Sequence, residues 1–107
     1  MLYRFKSKAA GDVIMMAASG DRVLHILGRE VAPKGIIEVA DMPGAMLALE
    51  AAVVDDEQAR RQAEAEAAAE GRTLAARESV TLRQRVWPLL EMLRRSHAAR
   101  VDVVWGV

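Results

Sequence analysis

The chain has 107 residues, no cysteine, and 15 basic against 15 acidic side chains, which gives a formal net charge of zero. This length favours one domain covering residues 1–107, and 52% apolar with 28% charged residues argues against wholesale disorder or a membrane protein. Zero net charge removes any global attraction to nucleic acid or anionic lipid, and a chain without cysteine has no disulfide or thiolate metal site.

The N-terminal residues lack the pattern of an export signal. Arg4, Lys6 and Lys8 stand where a signal peptide would have its apolar core, and no apolar run approaches ~18 residues. A reducing compartment suits a chain without cysteine. We therefore expect a cytoplasmic protein that makes no membrane contact.

Two strands are predicted at the start of the chain. Residues 2–6 alternate apolar and polar side chains, so that Tyr3 and Phe5 share one face of a strand and Arg4 and Lys6 the other. A second strand is predicted at 13–16, where a short apolar run is bounded by turn residues.

Residues 21–28 favour a short helix, although a segment of this length is also compatible with a strand. Asp21 is a candidate N-cap and Gly28 a candidate stop. The apolar residues of the segment recur at helical spacing: Val23, Leu24, Ile26 and Leu27. After a loop at 32–35, residues 36–39 favour a brief extended segment.

The first long helix is predicted over about residues 41–70. Asp41 is expected to cap it, and Pro43 is tolerated in a first turn because its missing amide would have no partner there. One apolar row faces the core: Met42, Met46, Leu49 and Val53. Beyond Val54 alanine is the only apolar residue type, so this part of the helix is expected to be largely solvated.

The second long helix is predicted over about residues 80–97, after a flexible connection at 70–78. Thr81 and Gln84 have the spacing of a capping box. The expected buried row is Leu82, Val86, Leu89 or Leu90, and Leu93. Pro88 lacks an amide donor and clashes with the preceding turn, so the helix either kinks at Trp87–Pro88 or begins later.

The chain ends in a predicted strand, because Val101, Val103 and Trp105 alternate along one side. This strand is expected to pair beside the N-terminal strand. The predicted fold class is α+β, with short N-terminal strands and a C-terminal strand packed against the two long helices.

Four segments resemble the family of small bacterial proteins called domain of unknown function 1840. They are MLYRFKSKAAGDVIMM, APKGIIEVADMP, LRQRVWPLLEMLRRSH and VVWGV, and the resemblance extends over essentially the whole chain. It implies no assigned activity, substrate or catalytic residue. It therefore does not choose between an enzyme and a binding module.

We assign no catalytic, cofactor-binding or metal-binding residue from the sequence. His25 and His97 belong to no HExxH or comparable ligand pair, no serine lies in a GxSxG elbow, and no glycine-rich phosphate motif occurs. His97 is expected to have a structural or surface role at the edge of the core near a helix end, and His25 to be a partly buried, hydrogen-bonded imidazole.

The strongest candidate interaction surface lies on the second long helix: Arg83, Trp87, Arg94, Arg95 and His97. Arginine pairs with carboxylate or phosphate, and the tryptophan ring can accept a cation on its face. Residues 41–77, the acidic middle of the chain, carry eight acidic and four basic side chains. Because the chain has no overall basicity, we favour ion pairing of these arginines with that acidic middle over contact with nucleic acid.

The sequence thus predicts a non-enzymatic protein-interaction module, whose partner is an unknown protein or a second copy of the chain. The alternative is a nucleic-acid-associated regulatory factor that uses the Arg83–Arg100 surface. A small-molecule-binding protein or enzyme is third, and would need a pocket that holds a histidine beside a carboxylate.

Overall fold

The computed structural model describes residues 2–71 and 81–106. Within these residues, a four-stranded antiparallel sheet has two helices packed on one face, and a third helix packs on those two. The strands are β1 (Leu2–Ser7), β2 (Ala10–Met16), β3 (Gly35–Ile37) and β4 (Val103–Trp105), and the helices are α1 (Ala17–Ile26), α2 (Met42–Ala69) and α3 (Leu82–Ala99). The predicted α+β class and the two long helices are confirmed.

The strand order is β2-β1-β4-β3, and every neighbouring pair is antiparallel. The predicted pairing of the terminal strands is confirmed, since Phe5 of β1 lies opposite Trp105 of β4. Successive side chains of a strand point to opposite faces. Tyr3, Phe5 and Trp105 therefore lie on the inner face, under the helices, where all three are buried.

An aromatic row lines this inner face. The ring centroids of Tyr3 and Phe5 are 6.1 Å apart, and those of Phe5 and Trp105 are 5.8 Å apart. Burial of an aliphatic or phenyl side chain of this size stabilises a fold by ~1.5–3 kcal/mol. The row packs within one cluster with buried residues of all three helices, which include Val23, Leu24, Met42, Leu49, Val53, Val86, Leu89 and Leu93.

The helix predicted at 21–28 is present, but it begins earlier than predicted. β2 passes directly into α1, whose N-cap is Met16, so the prediction that Asp21 caps the helix is wrong. Asp21 lies inside α1 and accepts a hydrogen bond from the Tyr3 hydroxyl. The stop near Gly28 is confirmed, since the helix ends at Ile26 and Gly28 has a φ of 73°.

Helix α2 begins one residue after the predicted start, and the prediction that the Asp41 side chain caps it is also wrong. A 3-10 turn at Val39–Asp41 leads into α2, so Asp41 has helical backbone angles and makes no side-chain cap bond. A capping side chain normally needs an extended backbone. The Asp41 carboxylate instead lies 3.6 Å from the Arg29 guanidinium.

Helix α3 begins with the predicted capping box, because Thr81 and Gln84 each bond the other's backbone amide. The helix continues through Pro88, so the alternative of a later start is wrong. Pro88 is exposed. Because Pro88 has no amide hydrogen, the Gln84 carbonyl lacks the donor that a regular helix would give it. This carbonyl lies on the solvent-exposed side of the helix, where water can bond it.

The predicted flexible connection at 70–78 lies mostly outside the described residues. Only its first two residues are described, Glu70 and Gly71, which form the turn that ends α2. Gly71 has a φ of 72°, as expected of a glycine that stops a helix.

Two inner-face aromatic rings lie directly on glycines. The Tyr3 ring packs against Gly20 of α1, and the Trp105 ring packs against Gly35 of β3. An added Cβ at either position would overlap the ring. Glycine therefore sets how closely α1 and β3 approach the aromatic row.

We expect Gly35→Ala to lower the free energy of unfolding by about 1–3 kcal/mol, the usual cost of overpacking a core. The control is Gly44→Ala, because Gly44 lies in α2 with open space where the new Cβ would stand. Alanine favours a helix over glycine by up to ~1 kcal/mol, so this control should be neutral or stabilising. Urea unfolding of both variants measures the difference, and equal values would contradict the close packing at Gly35.

The Tyr3 hydroxyl donates a 2.5 Å hydrogen bond to Asp21 Oδ1, which ties β1 to α1. This hydrogen bond, burial of the ring and the negative charge of Asp21 together raise the pKa of Tyr3 to about 12. Folding then favours the protonated phenol. The resulting stabilisation is complete below the unfolded pKa near 10 and is lost as the pH rises through about 12.

Ultraviolet absorbance of tyrosinate measures this pKa directly, because the chain has one tyrosine. The native protein should titrate about two pH units above free tyrosine. Asp21→Asn removes the charge and should bring the midpoint down towards 10. A native midpoint near 10 would show that the Tyr3–Asp21 bond is not maintained in solution.

Candidate functional site

The five residues of the predicted interaction surface all lie on α3, but they divide into two groups. Arg83, Trp87 and Arg94 share one side of the helix, since spacings of four and seven residues bring side chains into line. Arg95 projects about 100° further round the helix. His97 is half-buried at the edge of the core, as predicted.

Arg94 covers one face of the exposed Trp87 ring, with its guanidinium carbon 5.1 Å from the ring centroid. Its two terminal nitrogens also bond carboxylates, at 2.5 Å from Glu91 of the same helix and 3.4 Å from Glu50 of α2. The guanidinium is thus held on three sides. These contacts restrain the Arg94 side chain, which in turn covers one face of Trp87.

Arg83 makes the second bridge between α3 and α2. Its Nη2 and Nε atoms lie 2.8 Å and 3.4 Å from the two carboxylate oxygens of Glu57, a two-point contact that suits a planar guanidinium. The hydrogen bond from Arg83 and the arginine's positive charge lower the pKa of Glu57. The predicted pairing of arginines with the acidic middle of the chain is confirmed at Arg83 and Arg94.

Two exposed aliphatic residues of α2 lie on the same side of that helix as Glu50. Leu47 precedes Glu50 by three residues and Val54 follows it by four, which aligns the three side chains. Leu47 is 68% exposed and Trp87 is 45% exposed. We call the side chains brought together here the α2–α3 surface: Leu47, Glu50, Val54, Glu57, Arg83, Trp87, Glu91 and Arg94.

The remaining predicted residues lie outside this surface. Arg95 stands four residues after Glu91, a spacing that suits an ion pair, but the Glu91 carboxylate bonds Arg94, which also covers Trp87. His25 is exposed rather than partly buried. Neither His25 nor His97 has a carboxylate within ion-pair distance anywhere in residues 2–71 and 81–106.

The sequence reasoning missed the contribution of α2 to the surface. Leu47 and Val54 stand seven residues apart with Glu50 between them, away from the buried row that contains Leu49 and Val53. This spacing was a usable signal for a second, exposed apolar stripe. The placement of that stripe beside α3 depends on the bonds of Glu50 to Arg94 and of Glu57 to Arg83, which join residues far apart in sequence and which no local pattern predicts.

The outer face of the sheet is a second exposed apolar surface. Leu2 and Met16 lie opposite each other on β1 and β2 and are 56% and 66% exposed. Ile14 neighbours them, while Ile36 of β3 lies opposite the half-buried Val104 of β4. We call these five apolar residues, with Arg4, Lys6 and Asp12 on the same side, the outer sheet face.

Within the part of the chain that the structure describes, no three histidine, aspartate or glutamate side chains converge to hold a metal ion. No described helix combines the length and apolar character that crossing a bilayer requires.

We expect Arg83→Gln to raise the pKa of Glu57, because the variant loses the positive charge that favours the carboxylate. Because folding lowers the pKa of Glu57, its pairing with Arg83 stabilises the fold at pH values above the unfolded pKa. This stabilisation is lost as the pH falls through the folded pKa. Proton NMR titration of the Glu57 side chain measures the change. The control is Arg95→Gln, which removes an exposed arginine of the same helix and should leave the Glu57 titration in place.

The comparisons with known proteins identify a family but no characterised relative. No curated protein and no solved structure matches the chain. The family model described as "Domain of unknown function (DUF1840)" matches residues 1–105, from β1 to the end of β4. The chain therefore belongs to the family domain of unknown function 1840.

Proposed function

We propose that this protein is a cytoplasmic, non-enzymatic protein-interaction module that binds another protein through its α2–α3 surface. The observation that carries the proposal is Trp87, a large aromatic residue that stands at the surface with Arg94 already seated on its ring. Tryptophan and arginine are the residue types most enriched among those that dominate protein–protein binding energy.

The ion pairs of this surface lower the cost of binding. An interface loses about 0.5–1.5 kcal/mol for each flexible side chain that it immobilises. Glu50 and Glu91 already restrain Arg94, and Arg94 restrains one face of Trp87. A partner that covers the other side of the ring therefore meets side chains whose motion these contacts already restrain.

The composition of the α2–α3 surface favours a protein over a nucleic acid. The guanidiniums of Arg83 and Arg94 are matched by the carboxylates of Glu50, Glu57 and Glu91. Phosphate binding needs unpaired cations that release counterions. Leu47 and Val54 add exposed aliphatic area on α2, which suits a partner that presents an apolar patch ringed by polar groups.

The experiment is recovery of tagged protein from its own cell lysate, with the native chain and Trp87→Ala compared side by side. If Trp87 is the anchor, its truncation should weaken binding by about 30-fold, which corresponds to ~2 kcal/mol. A partner that the native chain retains and Trp87→Ala loses supports the proposal. The matched control is Val31→Lys, which changes an exposed aliphatic residue outside both the α2–α3 surface and the outer sheet face and should keep that partner.

Two outcomes would contradict the proposal. One is a partner retained equally by native protein and Trp87→Ala. The other is a salt-dependent shift of DNA or RNA by the native chain, since that would place a nucleic acid on this protein. Circular dichroism of Trp87→Ala should match the native spectrum, because Trp87 is exposed and lies outside the core cluster.

A further inference from the structure

We draw no further inference here: the strongest candidate, the exposed apolar patch of the outer sheet face around Leu2, Ile14 and Met16, carries none, because nothing in residues 2–71 and 81–106 shows what covers it.

Discussion

The aromatic row of Tyr3, Phe5 and Trp105 decides which side of the sheet becomes the core. In a strand, a shift of one residue exchanges the two faces, so burying these rings commits every even-numbered neighbour on β1 and β4 to the other side. The rings in turn need Gly20 and Gly35 beneath them. The apolar outer face is thus a direct consequence of the inner one, and it has no described helix to cover it.

The sides of helix α3 face different surroundings: the core, helix α2 and solvent. One side, with Val86, Leu89 and Leu93, enters the core against the sheet. The adjoining side carries the arginines that reach α2, and the wet side carries Pro88. A proline in the core-facing row would have left a carbonyl without a partner away from water, where its loss costs ~1–3 kcal/mol.

Local patterns predicted most of the fold, because hydrophobic periodicity is a short-range signal. The Thr81 capping box and the apolar row of α2 illustrate this. The errors at Asp21 and Asp41 arose where the preceding segment entered the helix directly, so that an acid with good capping chemistry had a helical backbone. The neighbouring strands and turns determine this helical backbone conformation, so the identity of the acid alone does not predict it.

The surfaces were harder to predict than the fold. Residues 13–16 form a continuous apolar run, which is typical of a strand buried on both faces, and the run conceals that Ile14 and Met16 face outward. Their exposure follows from the packing of the described helices on the other face of the sheet, which a local pattern does not show. Likewise, the bond between Arg83 and Glu57 joins residues 26 positions apart.

The two surfaces lie on opposite sides of one sheet. Helices α2 and α3 belong to the inner layer, so a molecule that covered the outer sheet face would leave Leu47 and Trp87 exposed. The packing of all three described helices on the inner side therefore separates the α2–α3 surface from the outer sheet face.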